Sequence, residues 1–133
     1  MVTKYFKVTM KPNIYDPNCP TRVVLDRIGD KWTALVVLVL LDGPLRFGHV
    51  RSAIGGVAPK VLTQTLRRLE RDGIVTRRAF AEIPPRVEYE LTPLGRKFMQ
   101  PVRGLVTWLQ SNWPTIRAAR ERFERRPQIR KAS

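Results

Sequence analysis

Apolar residues recur three and four apart through much of the chain, most clearly in GGVAPKVLTQTLRRLERDGIV at 55–75. On a helix turning about 100° per residue, Leu66 and Leu69 fall within roughly 40° of Leu62, while Lys60, Gln64, Arg67 and Arg71 fall within roughly 40° of the opposite direction. Pro59 suits a first helical position, where its missing N–H is not needed, and Gly73 suits the position just past the end. The spacing predicts a helix over about 58–72 with its leucines turned to a core. The opposite row holds only cations and an amide, with Glu70 and Asp72 to its sides. A solvated face normally mixes signs to gain i,i+4 pairs. Geometry alone leaves two readings of this row open, solvent or a polyanion.

Upstream, residues 1–18 read as an extended arm. Pro20 opens a helix to about Ile28, with Cys19 at or next to its N-cap. Gly29 interrupts, Asp30 caps a second helix, and Trp32–Leu41 is apolar almost all round, as a central core helix should be, until Gly43-Pro44 stop it. A short extended piece, PLRF, precedes a third helix over 48–54, with Val50 and Ile54 on one face and Gly55-Gly56 forming a tight turn. Two short helices joined by a glycine-containing turn make a helix-turn-helix pattern, the second helix being the one offered to a major groove. Other helical hairpins share that pattern.

Downstream, IVTRRAF has strand character, and RVEYELT alternates, with Val87, Tyr89 and Leu91 on one face and Arg86, Glu88 and Glu90 on the other. The prolines of AEIPPR suit a hairpin tip. A basic hairpin over about 74–91, directly after such a helix, reads as a wing carrying Arg77, Arg78 and Arg86. Thr92 caps and Pro93 opens a further helix. Its residues Phe98, Val102, Leu105 and Leu109 keep the rhythm of a helix packing along another helix, whether in the domain's own core or between two copies. Trp108 and Trp113 add apolar surface that a small domain has difficulty burying. Pro101 should kink this helix. Beyond Pro114, TIRAARERFERR should form a separate basic helix and PQIRKAS should fray. The expected fold is mainly α with a small β-hairpin, an α+β winged helix-turn-helix. Its divisions are an arm at 1–18, a winged domain with its flanking helices at 19–110, and a basic helix and tail at 111–133.

Charge narrows the partner. The 133 residues carry +14 with 43% hydrophobic content, which argues against disorder and favours nucleic acid or an anionic membrane surface. Residues 1–42 hold six Lys/Arg against four Asp/Glu, a balance of +2, so 43–133 carry +12. The longest apolar run, ALVVLVLL at Ala34–Leu41, falls far short of the roughly 20 residues that span a bilayer. No secretory leader is recognisable at the N-terminus. One cysteine fits a reducing cytoplasm. His49, the sole histidine, reads as a surface or capping residue, and no His/Cys cluster has metal spacing. No phosphate loop, nucleophile elbow or paired-acid motif appears. The expectation is no catalytic residue, no metal, no cofactor and no membrane, hence no enzyme. Two classes remain, a regulator that reads sequence and a basic architectural protein that coats nucleic acid without reading it.

CPTRVVLDRIGDKW, DGPLRFGHVRSAI, APKVLTQTLRRLERDGIV and PPRVEYELTPLG, in this order and spacing, closely resemble the HxlR-type family of bacterial winged-helix transcriptional regulators over about residues 19–110. The resemblance implies a homodimer on double-stranded DNA, with one recognition helix and one wing per subunit, dimerised through terminal helices. Phe98, Val102, Leu105, Leu109 and Trp113 are the dimerisation candidates. The resemblance identifies no small-molecule effector. It adds that some members sense oxidants or electrophiles through an N-terminal cysteine, which makes Cys19 the redox candidate. A thiol at a helix N-terminus, three residues before Arg22, sits in a positive field that favours a nucleophilic sulfur. The bland alternative is a small apolar residue under a dimer seam. Ala58 departs from the family's frequent Ser or Thr, leaving the recognition helix without a side-chain cap, a loss of about 1 kcal/mol. Gly48 replaces a better helix former.

For DNA contact the expected residues are Lys60, Thr63, Gln64 and Arg67, near base edges, and Arg68 and Arg71 on phosphates. An arginine can fork onto guanine and a glutamine onto adenine. Arg77, Arg78 and Arg86 should meet backbone or minor groove.

Overall fold

The computed structural model describes residues 15–127; most of the arm expected over 1–18 and of the tail expected over 127–133 lies outside them. Two compact units divide the chain, one ending at Met99 and one starting at Gln100.

In the first unit α1 (Pro20–Gly29) is followed by α2 (Lys31–Val39), a 3-10 turn (Leu40–Asp42), β1 (Leu45–Arg46), α3 (Phe47–Ala53), α4 (Pro59–Arg71), β2 (Val75–Phe80) and β3 (Arg86–Leu91). The last helix, α5 (Pro93–Glu124), begins in this unit and supplies the second. Asp30 caps α2 as its sequence suggests: Oδ1 accepts from the Trp32 amide at 3.0 Å and Oδ2 from the Thr33 hydroxyl at 3.5 Å. The helix is shorter and less fully enclosed than its apolar run implies. Regular α-helix ends at Val39, the 3-10 turn tightens Leu40–Asp42, and Leu35 stays 37% exposed. A run of apolar residues does not specify a buried face; neighbours do, and they cover only Thr33, Val36, Val37 and Leu40 completely.

The expected two-stranded hairpin is a three-stranded antiparallel sheet in the order β1-β3-β2. The piece read only as extended supplies β1, with Leu45 in register with Tyr89 and Arg46 with Glu88. Two residues are too few to show alternation, so this strand is defined by its partner. The β2–β3 register pairs Val75 with Leu91, Arg77 with Tyr89 and Phe80 with Arg86. Val75, Leu91 and Tyr89 therefore share the face packed on the core, and Arg78, Arg86, Glu88 and Glu90 share the other, as alternation predicts.

Helix α3 starts one residue earlier than expected and ends before Ile54, whose extended backbone still delivers its side chain to the core. A turn with Gly56 at φ 82° leads to α4. The core joins Val36, Val37 and Leu40 to Val50, Ile54, Val57, Leu62, Leu66, Leu69, Val75, Leu91 and Met99. Helix α4 exits through a Schellman turn: the Gly73 amide (φ 76°) donates to the Glu70 carbonyl at 3.1 Å and the Ile74 amide to Leu69 at 2.9 Å. Thr92 then ties this exit to α5. Its hydroxyl accepts from the Gly95 amide at 3.0 Å and lies 2.6 Å from the Gly73 carbonyl, to which it donates. Gly95 lies so close to the Ile74 carbonyl that a methyl group there would collide with it.

The separate helix expected after Pro114 is absent; α5 is continuous, with Pro101 and Pro114 inside it. Each proline deletes one backbone donor at a cost of about 3 kcal/mol, which strong helix formers on both sides can outweigh.

Candidate nucleic-acid interface

Helix α4 is sorted as its sequence is. Leu62, Thr65, Leu66 and Leu69 are buried, and Lys60, Thr63, Gln64, Arg67, Glu70 and Arg71 are exposed. Ala58 stands at the N-cap with no side-chain hydrogen bond and Pro59 opens the helix. Lys60, Arg67 and Arg71 form no ion pair among the described residues. Two side chains are less free than a helical wheel suggests. The Thr63 hydroxyl donates to the Pro59 carbonyl at 2.8 Å, leaving oxygen lone pairs and a methyl group for a partner. Arg68 is half-buried and its Nε reaches back to the Gln64 carbonyl at 3.4 Å, which sets it apart from the outward row.

The wing arginines divide. Arg77 is exposed on the core-facing side of the sheet, beyond the buried Val75, and pairs with no carboxylate among the described residues. Arg78 lies on the outer side and bridges Glu90 at 3.2 Å. Arg86 is held hardest: it reaches Glu82 at 2.7 Å and Glu88 at 2.8 Å, and its guanidinium stacks 3.9 Å from the centre of the Phe80 ring. The hydrogen bond it donates to Glu82, opposed by partial desolvation and reinforced by Glu88, raises its already high pKa, so it is charged throughout the workable pH range. Arg86, expected to meet backbone or minor groove, is thus bracketed by Glu82 and Glu88 at the wing. Alternation correctly placed Arg86 and Glu88 on one face, but Glu82 lies in the irregular tip, where no period applies. The tip itself displays Ile83 to solvent.

Arg77, Arg67, Thr63, Glu70 and Tyr89 line a cleft of about 430 Å³ between α4 and the sheet. Sequence reasoning missed Glu70 and Tyr89 as members of this site. Tyr89 could be found only by knowing that Arg77 is its cross-strand partner, and the proline-containing tip does not reveal that register.

Cys19 precedes α1 directly and is buried. Its amide donates to the Asp16 carbonyl at 3.0 Å and its own carbonyl accepts from the Arg22 amide at 3.0 Å. The Arg22 guanidinium reaches the Tyr15 carbonyl at 3.2 Å. His49 is exposed on α3, and no cluster of three metal-ligating side chains occurs among the described residues. In the second unit, Leu105, Trp108, Leu109 and Trp113 are exposed, whereas Val102 is buried within the single chain. Phe98, in the first unit, is half-buried on the core. Helical spacing by itself cannot tell one apolar partner of Phe98 or Val102 from another. No helix among the described residues is long and apolar enough to cross a membrane.

With this geometry the profile of the HxlR-like helix-turn-helix family matches residues 27–117. The chain belongs to the HxlR-like helix-turn-helix family. Within this family of transcriptional regulators it is 40% identical over 109 residues to the HTH-type transcriptional regulator YtfH of Escherichia coli K12, covering 82% of this chain and 86% of that one. Its fold is similar to that of ytfH from Salmonella typhimurium, a transcriptional regulator by its description, with TM-score 0.76, 40% identity, and coverage of 84% and 99% of the two chains. It is also similar to the redox regulator HypR in its reduced form, with TM-score 0.69, 36% identity, and coverage of 74% and 98%. The HxlR-like match spans α2–α4, the whole wing and much of α5.

Proposed function

We propose that this HxlR-like chain is a homodimeric, sequence-specific regulator that inserts α4 into the major groove of double-stranded DNA and lays the β2–β3 wing along the adjacent backbone or minor groove. The observation that carries the reading is the outward row of α4: Lys60, Gln64, Arg67 and Arg71 are exposed, and its cations lack carboxylate partners among the described residues. A helix of roughly 10–12 Å diameter fits the major groove, so the side opposite the leucines meets base edges. Leu105, Trp108, Leu109 and Trp113, exposed on one helix, favour a second copy as the partner that covers them. Footprinting on the chain's own upstream region tests the proposal: a dimer protects a pseudopalindrome with half-sites about one helical turn, roughly 34 Å, apart. Uniform protection that competitor DNA abolishes equally would instead make it an architectural protein.

The reading includes redox control through Cys19, supported by the likeness to HypR and by the position of Cys19 directly ahead of α1. With one cysteine in the chain, any disulfide joins two copies or captures a small thiol. Diamide should change operator affinity in wild type and not in Cys19→Ser; identical, unaltered binding in both removes the sensing role.

A further inference from the structure

The cleft between α4 and the sheet has chemistry that the two flanking surfaces do not share. Two guanidiniums, Arg67 from α4 and Arg77 from β2, line it together with Thr63, Tyr89 and a single carboxylate, Glu70. Neither arginine is paired with an acid among the described residues, although Arg78, the next residue along β2, is bridged to Glu90. Arginine forks suit tetrahedral oxyanions, onto which each can place two parallel hydrogen bonds. The cleft carries a balance of one positive charge, the value that one phosphodiester would neutralise.

Its position identifies the source of that oxyanion. If α4 occupies a major groove and the wing reaches the adjoining minor groove, the strand separating those grooves passes over the space between them. We infer that Arg67 and Arg77 clamp one backbone phosphodiester of that strand, making Arg67 a register-setting residue rather than a reader of guanine, while Glu70 limits the grip. This rests on the reading of α4 as the groove-entering helix. It joins two residues that the sequence placed in separate contacts, and it gives Glu70 a function.

The test uses the full chain, a short fluorescein-labelled duplex of arbitrary sequence and anisotropy titrations over a series of chloride concentrations. One shared phosphate predicts that the Arg67→Ala/Arg77→Ala double variant loses about 0.9 in the slope of log affinity against log salt, with either single variant already losing most of it. Additive losses totalling about 1.8 would assign two separate phosphates and overturn the clamp while leaving the DNA reading intact. An unchanged double variant would place the cleft off the DNA, with the same consequence for the clamp. Wild type that binds no duplex at any salt would overturn both. Glu70→Gln, which nearly preserves shape, should tighten binding about five-fold, the scale of one unit charge at contact distance in water; unchanged or weaker binding contradicts the role given to Glu70. Inorganic phosphate replacing chloride at equal ionic strength should leave wild-type affinity unchanged. A phosphate-specific loss absent from the double variant would reassign the cleft to a free oxyanion and overturn the clamp.

Discussion

The outward row of α4 and the outer face of the sheet are both rich in arginine, yet they are electrostatically opposite. On α4 the cations stand beside an amide and a threonine. On the sheet, Arg46, Arg78 and Arg86 share one face with Glu88 and Glu90, and Glu82 reaches in from the tip. The first surface projects its charge into solvent, where a polyanion can collect it. The second spends most of its charge on itself. Counting basic residues along a sequence cannot separate these cases, because the compensating acids are placed by cross-strand register and by an irregular loop.

The largest effect that tests this division lies on the back of α4. Leu66→Ala should lower stability by about 2–5 kcal/mol in a urea titration, since it removes a side chain from the sealed core. Gln64→Ala, on the front, should leave stability within about 0.5 kcal/mol but alter the bases recovered from randomised-site selection by about 1–3 kcal/mol of discrimination. An unaltered selection would sink the assignment of that face. Next in size, Arg86→Ala should lower Tm while leaving the salt slope of DNA binding nearly constant. A slope loss of about 0.9 would mean that Arg86 meets a phosphate despite its two glutamates. Its raised pKa keeps the guanidinium charged until pH rises through that value, so Tm between neutral and moderately alkaline pH should show no step from this contact. The smallest change is expected from Glu90→Gln, which frees Arg78 and should modestly strengthen binding to every sequence; weaker binding would show that the Arg78–Glu90 bridge shapes the wing instead.

What the sequence revealed follows the range of the forces involved. The two faces of α4, the Asp30 cap, the Gly73 exit and the alternation of β3 rest on neighbours within four residues, and the structure places each as its spacing predicts. β1 was legible only as an extended piece, because two residues become a strand through a partner more than forty positions away. Pro114 looked like a terminus because the local rule counts one missing hydrogen bond and not the helix on either side. The cleft was invisible for a related reason: its residues come from three elements, and only the register of β2 on β3 brings Arg77 beside Tyr89.

The side chains that hold α4 in the fold and those it presents outward have almost no members in common. A lineage carrying this scaffold can therefore rewrite the outward letters, one surface substitution at a time, at a cost within about 0.5 kcal/mol per step. Diversification of binding preference is then limited by what genomes offer as targets, with foldability left largely out of the reckoning.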